Sequence, residues 1–583
     1  MERWSRSAAA FLIVAGLAVG CYLNALGGPF LYDDQRDIAT NPLLREPGRL
    51  DEVFTTSFLH EGKTRALYRP ITGLTYWIDH RLFGPNPFGF HLANIFWHTA
   101  ASLAVLVLIR SLWPAEPLMA LMGAALFAAH PVHTEAVSWI SGRSEVLATF
   151  WGILAFWAHR RADGEASTAP LWRIAALAAW LVALGAKEMA ATIPLLLVMT
   201  DGLLGRPLGW WRPGRLAARY GPYLGVAAAY GAVRWSVLDQ LGPVGAHQYF
   251  HGASMSIRGP TMLKVAAGYV ERLVLPVNLN ASWTVPHARG LTDGAGPLLA
   301  LALLVALLGL AWAARRSATP VAWGILWTGL ALLPVSNLLP IGELAGERFL
   351  YAPSVGACVA IAWVMTRGGK PSTEASSTAP APLVWVLGCA VVILFAINTV
   401  DRNRDWSDDL ALWEKTARQS PRSVNARMNV GKALFQRGSV EDAARHFEAA
   451  LELSPTHVDA LNNLGAAYGQ LGRIDEANRA FHHATIIRPD HPQAWYNLGF
   501  LRYRQRDFSG AEEALRRARG LDAQNPKVPY LLGLVAYRRG DLEEAEARWR
   551  ETLEIDPSFT KASRNLTALL EARERGGGQG RRR

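Results

Sequence analysis

Two adjacent carboxylates, Asp33 and Asp34, are the residues of this 583-residue chain best suited to acid–base chemistry. Both lie within the segment 28–37, which directly follows the first apolar run. At the mouth of a span, such a pair can supply a general base with an electrostatic neighbour, or can bind a metal ion. A solvated acidic turn is the commoner structural role of Asp-Asp. The catalytic reading depends on other polar residues predicted at the same membrane face, including Arg36.

A second polar group, at positions 130–145, follows the third apolar run and includes His130, His133 and Glu135. Polar side chains at the edge of a span pair with one another, line a water-filled cavity or face the interface. Two histidines three residues apart can share a helix face and bind a metal ion. The sequence offers no third ligand for zinc, so we predict no metal site.

Two further charged motifs lie on the same predicted face, Lys187-Glu188 and the segment 342–351 with Glu347 and Arg348. Lysine and arginine suit a phosphate carried on a lipid, and arginine can engage it through two parallel hydrogen bonds. Internal pairing, such as Lys187 with Glu188, is the competing interpretation. The shared placement of these charges is a stronger signal than any one of them.

The elements that must position these residues are membrane spans. Residues 1–400 contain about eleven apolar runs, some short or interrupted, that approach the length needed to cross a bilayer. The first run lacks a convincing cleavage site and is followed by further spans, so we predict a retained span rather than a signal peptide. Cys21, Cys358 and Cys389 all lie in apolar runs, which makes a disulfide framework unexpected.

Basic residues alternate between loops and so predict the orientation of the chain. The formal charge of +11 is therefore attributed to topology rather than to nucleic-acid binding. Residues 261–277 are apolar but contain three charges, and we predict an interfacial or re-entrant helix there. The amino terminus is then cytoplasmic and the tail lies outside. The residues assigned to the inner side are Arg3, Arg6, Arg110, Arg160, Arg161, Arg173, Arg206, Arg212, Arg215, Arg219, Arg315, Arg316, Arg367 and Lys370.

The tail contains a sequence repeat of 34 residues, marked by Gly431, Gly465, Gly499 and Gly533. This period predicts tetratricopeptide repeats, whose stacked helix pairs form a solenoid with a concave binding face. Small residues recur at Ala443, Ala477, Ala511 and Ala545, and large ones at Phe447, Phe481, Leu515 and Trp549. The predicted repeats are 424–457, 458–491, 492–525 and 526–559, preceded by a partial repeat at 401–423 and followed by a capping helix and basic disordered tail at 560–583.

Three asparagines occupy one equivalent position in the first helix of the first three repeats. An amide there can donate to and accept from a peptide backbone, although these side chains can equally be solvated helix residues. The fourth repeat has Leu531 at this position. The peptide-binding candidates are Asn429, Asn463 and Asn497.

The ordered set of motifs resembles the transmembrane and tetratricopeptide-repeat protein O-mannosyltransferases, which are membrane glycosyltransferases of the GT-C fold. The resemblance covers nearly the whole chain. It implies an all-α architecture, with a GT-C-like bundle at 1–400 before the repeats. The motifs that carry it are 30–34 (FLYDD), 68–72 (YRPIT), 86–91 (NPFGFH), 130–137 (HPVHTEAV), 142–143 (GR), 186–188 (AKE) and 347–354 (ERFLYAPS).

The resemblance implies transfer of mannose from a polyprenyl phosphate to Ser or Thr hydroxyls of proteins, on the outer face and with inversion. Either Asp34 or Asp33 is then the base. Arg143, Lys187 and Arg348 become candidates for binding the lipid phosphate. No nucleotide sugar and no obligatory metal or other cofactor is implied. Residues predicted to line the site are Arg36, His130, His133, Glu135 and Glu347.

Two other functions remain open at this point, because donor and acceptor need not follow the fold. One is transfer of a lipid-linked sugar to an envelope lipid or polymer. The other is a non-catalytic, membrane-anchored repeat scaffold that gathers envelope proteins.

Short connections between spans favour a bacterial inner membrane, with the repeats in the periplasm.

Overall fold

The computed structural model describes residues 2–57, 67–163, 167–205, 212–238, 254–338, 341, 343–367 and 382–580. Within these ranges the ordered elements are helices, with no strand, so the predicted all-α class is confirmed. The chain divides into two compact units, Met1–Gln419 and Ser420–Arg583. Predictions that rest on Arg206, Gly342, Lys370 and residues 581–583 lie outside the described residues.

The first unit contains seventeen α-helices within its described part, joined by short 3-10 turns. Many begin with proline at the first helical turn, where its missing N–H has no helical partner to lose. The helices are α1 Glu2–Gly20, α2 Pro42–Arg45, α3 Glu52–Thr55, α4 Pro70–Phe83, α5 Pro87–Leu112, α6 Pro117–Ala129, α7 Thr134–Val137, α8 Arg143–Arg161, α9 Ala169–Ala186, α10 Ile193–Leu203, α11 Pro213–Leu238, α12 Met255–Val274, α13 Ala295–Ser317, α14 Thr319–Ala331, α15 Tyr351–Arg367, α16 Pro382–Asn403 and α17 Asp409–Gln419.

Six described helical segments are long and apolar enough to cross a membrane, and two shorter apolar helices accompany them. The chain is therefore a multi-pass membrane protein. The count of about eleven spans stays a prediction, and α12 is not among the six segments. The six are Ala8–Ala25, Pro87–Leu112, Ala169–Ala186, Ala295–Ser317, Glu347–Arg367 and Leu383–Ser407.

Central and peripheral spans differ in how much of their surface the protein covers. The most apolar part of Pro87–Leu112 is 56% buried and that of Glu347–Arg367 is 61% buried. The corresponding value is 22% for both Ala295–Ser317 and Leu383–Ser407, whose exposed leucines suit contact with lipid. In the two central spans, polar residues begin at the end of the span that lies at the candidate active site.

The second unit consists of four helix pairs and a final helix. Ser423, His457 and His491 cap the first helices of three repeats by accepting a hydrogen bond from a backbone N–H at the helix start. The final helix continues to Gly580, through part of the segment predicted as a disordered tail. The helices are α18 Val424–Gln436, α19 Val440–Leu453, α20 Val458–Gln470, α21 Ile474–Ile487, α22 Pro492–Arg504, α23 Phe508–Leu521, α24 Lys527–Arg539, α25 Leu542–Ile555 and α26 Thr560–Gly580.

Steric contact explains the 34-residue recurrence of glycine. A Cβ atom at Gly431 would lie 2.5 Å from a ring carbon of Phe447, and one at Gly465 would lie 2.8 Å from the ring of Phe481. The same clash recurs at the third and fourth repeats with Leu515 and Trp549. Glycine is therefore needed wherever the large residue of the second helix packs onto the first helix. The tetratricopeptide prediction is confirmed.

The three candidate asparagines do not share one environment. Asn429 is buried, whereas Asn463 and Asn497 are half-buried. Asn497 donates to Asn462 Oδ1 at 2.9 Å and accepts from Gln493. The Nδ2 atom of Asn463 is buried without a partner among the described residues. Peptide binding by these residues stays a prediction.

Candidate active site

Asp34 is buried at the base of the loop that follows α1, with 1% of its surface exposed. Its Oδ1 accepts hydrogen bonds from the backbone N–H of Ser141, at 2.9 Å, and from the Ser141 hydroxyl. Its Oδ2 accepts a single bond from Leu31 N at 3.2 Å. Burial raises the pKa of the Asp34 carboxyl to about 7, although the bonds from Ser141 and Leu31 lower it. A carboxyl with this pKa can act as a general base near neutral pH.

Asp33 has a different environment from its neighbour. Its side chain is 27% exposed and forms an ion pair with Arg36 at 3.3 Å. Arg36 also donates to Asp37 at 2.6 Å, so this predicted site-lining arginine is engaged within its own loop. The two adjacent carboxylates thus divide into one buried and one partly solvated group. The structure favours Asp34 as the candidate base.

The backbone at Tyr32 contributes to this division. Tyr32 adopts φ of 51°, in the left-handed region that non-glycine residues enter infrequently. Its N–H donates to Asp409 Oδ1 at 3.1 Å, and its ring lies 5.4 Å from that of Trp413. Both partners belong to α17, within the same unit. The helix after the last span therefore holds the turn that precedes Asp34.

The partner of Asp34 lies in a tight turn between α7 and α8. A Cβ atom at Gly142 would lie 2.5 Å from the carbonyl oxygen of Glu135 and 2.7 Å from that of Ala136. Only glycine allows the turn to approach α7 so closely. Ser141, next to it, is thereby held with its N–H and hydroxyl toward Asp34.

Arg143 is completely buried, and its guanidinium is surrounded by partners. Nη1 forms an ion pair with Asp79 at 2.5 Å, Nε donates to Asn94 at 2.5 Å, and Nη2 donates to Phe90 O at 2.8 Å. The group also lies 4.6 Å from the centre of the Tyr76 ring. This geometry favours a structural role, joining α4, α5 and α8, over the predicted binding of a lipid phosphate.

Lys187 is also paired, but not with its sequence neighbour. It forms a buried ion pair with Glu145, and its ammonium lies 5.5 Å from the centre of the Phe349 ring. Glu188 instead accepts a two-point ion pair from Arg69, with the shorter distance 2.7 Å. Internal pairing is thus observed, although Glu145 takes the place predicted for Glu188.

Arg348 lies between two carboxylates, Glu135 and Glu343, and forms ion pairs with both. Its backbone N–H also donates to Glu135 at 3.0 Å. The guanidinium lies 5.3 Å from the centre of the Trp139 ring. Because Trp139 is two residues from Ser141, Arg348 and Asp34 contact the same short segment of chain.

Glu347 is 1% exposed and faces the opposite way from Arg348. It accepts from Asn280 N at 2.6 Å and forms an ion pair with Arg402 at 2.5 Å. Arg402 lies near the end of the last span. The two adjacent residues Glu347 and Arg348 therefore connect the candidate site to two different parts of the bundle.

The two histidines are buried and hydrogen-bonded. His130 Nε2 donates to Leu273 O at 3.1 Å, and His133 Nε2 lies 2.8 Å from Ser354 Oγ. Burial lowers the pKa of His130 to about 4 and that of His133 further, so both rings are neutral at physiological pH. Across the described ranges, no group of three or more His, Cys, Asp or Glu side chains is arranged to hold a metal ion.

Several residues around the site were not predicted from the sequence as site residues. They are the ion-pair partners Arg69, Asp79, Glu145 and Arg402, together with Trp139 and Ser141. Arg69 and Glu145 do lie within or beside the motifs singled out above, and each is a charged residue next to an apolar run. That signal could have identified them. Among the described residues, the arrangement combines one buried carboxylate outside any ion pair, Asp34, with buried cations that are paired with other carboxylates.

Residues 402–556 match a family model described as the cilia and flagella-associated protein 70 C-terminal domain. Two solved structures are similar to part of this chain. One is a MamA fragment from Desulfovibrio magneticus, 23% identical over 26% of this chain and 85% of that chain, with a TM-score of 0.24. The other is a TPR protein of Thermus thermophilus, 20% identical over 31% and 96% of the two chains, with a TM-score of 0.26.

Curated relatives extend the similarity into the membrane unit. Protein O-mannosyl-transferase F38B6.6 of Caenorhabditis elegans is 26% identical over 76% of this chain and 62% of its own length. Human protein O-mannosyl-transferase TMTC4 is 28% identical over 75% of this chain and 65% of its own length. The chain thus spans less than two thirds of each of these relatives. The resemblance to the transmembrane and tetratricopeptide-repeat protein O-mannosyltransferases is confirmed over about three quarters of the chain.

Proposed function

We propose that this protein is a glycosyltransferase that moves mannose from a polyprenyl phosphate to Ser or Thr hydroxyls of proteins. The proposal places the reaction at the extracytoplasmic face of a bacterial inner membrane, with the amino terminus cytoplasmic and the repeats periplasmic. The similarity to proteins named protein O-mannosyl-transferases supports the reaction class. The observation that carries the proposal is the buried Asp34 carboxylate, held by Ser141 in the same short segment of chain whose Trp139 contacts Arg348.

In this reaction the acceptor oxygen attacks C1 of mannose while the bond from C1 to the phosphate oxygen breaks. The acceptor proton passes to Asp34, and the electron pair of the broken bond stays on the departing polyprenyl phosphate. One direct displacement inverts the configuration at C1. Oδ2 of Asp34 is suited to receive the proton, because among the described residues Leu31 N is its single donor, whereas Ser141 donates twice to Oδ1.

The repeats are proposed to present the acceptor. Stacked tetratricopeptide repeats offer an extended concave surface, which suits an unfolded or flexible segment of a protein. Asn429, Asn463 and Asn497 are the proposed contacts to the acceptor backbone. The buried Nδ2 of Asn463, which has no partner within the described chain, supports a role for this asparagine in particular.

The direct test is transfer of mannose from polyprenyl-phosphate mannose to an acceptor protein by the purified full-length chain. Asp34→Asn should lower the rate by about 10²–10⁴-fold, which is the range that general-base catalysis contributes. Asp33→Asn is the matched control, since it removes the adjacent carboxylate that is partly solvated and paired with Arg36. Its loss of rate should be far smaller.

Equal activity of the wild type and Asp34→Asn would contradict the proposed chemistry. Mannose found on an envelope lipid or polymer instead of a protein would support the alternative acceptor class. If both aspartate variants were silent in cells while deletion of residues 424–583 reproduced the full null phenotype, the scaffold function would be supported instead.

A further inference from the structure

Arg272 differs from the other buried cations at this end of the bundle. Only 8% of its surface is exposed, yet no carboxylate in the described chain lies within ion-pair distance of it. Nη1 donates to Gly268 O at 3.2 Å, and Nε is buried without a hydrogen-bond partner among the described residues. A buried charged donor without a partner is energetically costly. Such a donor indicates a ligand that the free protein does not itself supply.

The guanidinium of Arg272 is held in a defined orientation. It lies 3.8 Å from the centre of the Trp283 ring, which is close enough for stacking on the ring face. Trp283 is fixed in turn, because it packs onto Gly268, where a Cβ atom would lie 2.3 Å from the ring. This stacking fixes the plane of the guanidinium and therefore the directions in which its N–H groups point.

The position of Arg272 connects it to the candidate active site. The next residue, Leu273, accepts through its carbonyl from His130, and Tyr269 accepts from Gly346 N at 3.2 Å. The end of α12 is therefore packed against both segments that carry predicted site residues. Glu347, Glu271 and Arg402 act on Arg272 electrostatically, but neither carboxylate forms an ion pair with it in the described chain, and Glu347 is already engaged by Arg402.

The predicted interfacial position of this helix also favours a membrane lipid as the ligand. Residues 261–277 are the segment whose charges predict an interfacial or re-entrant helix, and α12 is amphipathic. Arg143, Lys187 and Arg348 each have a carboxylate partner, whereas no carboxylate among the described residues forms an ion pair with Arg272. A phosphate monoester or diester carried on a membrane lipid would supply the missing negative charge and the acceptor atoms for Nε.

We infer that Arg272, stacked on Trp283, forms a binding site for the phosphate of a membrane lipid at the extracytoplasmic end of the bundle. The inference rests on the proposed function, since the lipid is taken to be the sugar donor and its product. It assigns the phosphate contact to a residue that the sequence does not predict to bind phosphate, in place of Arg143, Lys187 and Arg348.

The test is equilibrium binding of a radiolabelled polyprenyl monophosphate to the full-length protein in lipid nanodiscs, beside the matching polyprenol without phosphate. The wild type should prefer the phosphate form. Arg272→Gln should weaken phosphate binding by about 10–100-fold and leave polyprenol binding unchanged. Arg258→Gln, on the same helix, is the matched control and should keep the preference. Inorganic phosphate is added as a competitor, and failure to compete would assign recognition to the lipid form.

The outcomes separate the inference from the proposed function. If the wild type prefers the phosphate form and Arg272→Gln keeps that preference, the Arg272 site is wrong while the lipid donor stands. If the wild type shows no preference, the lipid donor is wrong and the inference falls with it. If Arg272→Gln does not fold, Arg272→Lys replaces it. Weaker phosphate binding with unchanged polyprenol binding then supports the site, and unchanged binding of both overturns it. Competition by inorganic phosphate as strong as by the lipid form would overturn a lipid-specific site.

Discussion

The repeat unit and the membrane unit use buried residues in opposite ways. In the repeats, buried contacts such as Gly465 with Phe481 join residues a short distance apart in the sequence, and they recur with the same spacing. In the membrane unit, the buried charges pair over long and irregular separations, such as Lys187 with Glu145 and Arg348 with Glu135. The contacts in the repeats stabilise their unit through close packing of complementary side chains. The ion pairs in the membrane unit compensate charges that are buried away from solvent.

This difference determines what a single substitution does. A repeat contact is local, so its loss should loosen one helix pair and leave the others in place. A buried ion pair joins distant helices, and removal of one partner leaves the other charge uncompensated. Substitutions in the two units test this contrast.

Lys187→Met should lower the free energy of unfolding of the membrane unit by about 3–5 kcal/mol, because it leaves Glu145 buried without a counter-charge. The double variant with Glu145→Gln should recover part of that loss, since no unpaired charge then remains. Both changes are measured by denaturant unfolding of the full-length protein in detergent. Arg404→Gln is the control: Arg404 and Asp401 form an exposed pair, and its loss should have no measurable effect. Equal losses for Lys187→Met and Arg404→Gln would contradict the role of burial.

Gly465→Ala should lower the local stability of α20 and α21 by about 1–3 kcal/mol, because the added methyl group overlaps the Phe481 ring. Gly469→Ala, one turn later on the same helix, is the matched control. A Cβ atom there has its nearest neighbours at 3.9 Å, so the change should stabilise α20 by up to about 1 kcal/mol. Amide hydrogen exchange of the full-length chain measures both. Destabilisation by Gly469→Ala of the same size would count against the steric account.

Ser141→Ala should shift the acid limb of the pH–rate profile for mannose transfer upward by about 0.5–1 pH unit. The wild-type limb should lie near pH 7, because the base acts when ionised and the pKa of Asp34 is raised to about 7. The Ser141 hydroxyl bond lowers that pKa, and its removal lets the pKa rise. Activity is therefore lost at a higher pH as the solution is acidified.

The charged and titratable groups near Asp34 are Asp33, which raises its pKa, and Tyr76 on α4, beside the Arg143–Asp79 pair. None of these is altered by the substitution. Ser141→Thr keeps the hydroxyl and should keep the wild-type limb. Ser138→Ala removes a buried hydroxyl from the same segment that bonds Asn403 rather than Asp34, and it too should leave the limb in place. A shift in either control would show that the limb does not report the Ser141 bond.

The repeat fold could be read from the sequence because its contacts are encoded in a fixed period. Gly431 and Phe447 are sixteen positions apart, as are Gly465 and Phe481, and each pair meets across one helical hairpin. The presence of membrane-spanning helices could be predicted for a similar reason, since apolar length is a local signal, whereas the predicted count of about eleven is not confirmed. Both signals are local and do not depend on which distant residue lies opposite.

The candidate site could be predicted only in outline. Adjacent Asp33 and Asp34 are equivalent in a one-dimensional pattern, and their separation into solvated and buried groups depends on the Tyr32 backbone and on Ser141, over a hundred residues away. The partner of Lys187 is forty-two residues distant. Pairing with the neighbouring Glu188 is the simpler expectation from the sequence, but the structure does not show it. Charge spacing in the sequence does not specify which helices become neighbours.

The hydrogen bond between Tyr32 and Asp409 has a practical consequence for where the chain can be divided. The apolar sequence ends near Val400, but the compact membrane unit extends to Gln419 and includes α17. A chain shortened to residue 400 would lose the last residues of α16 together with the hydrogen bond from Tyr32 to Asp409 in the turn before Asp34. A cut after Gln419 keeps that hydrogen bond, and it would separate the unit proposed to catalyse transfer from the unit proposed to present the acceptor.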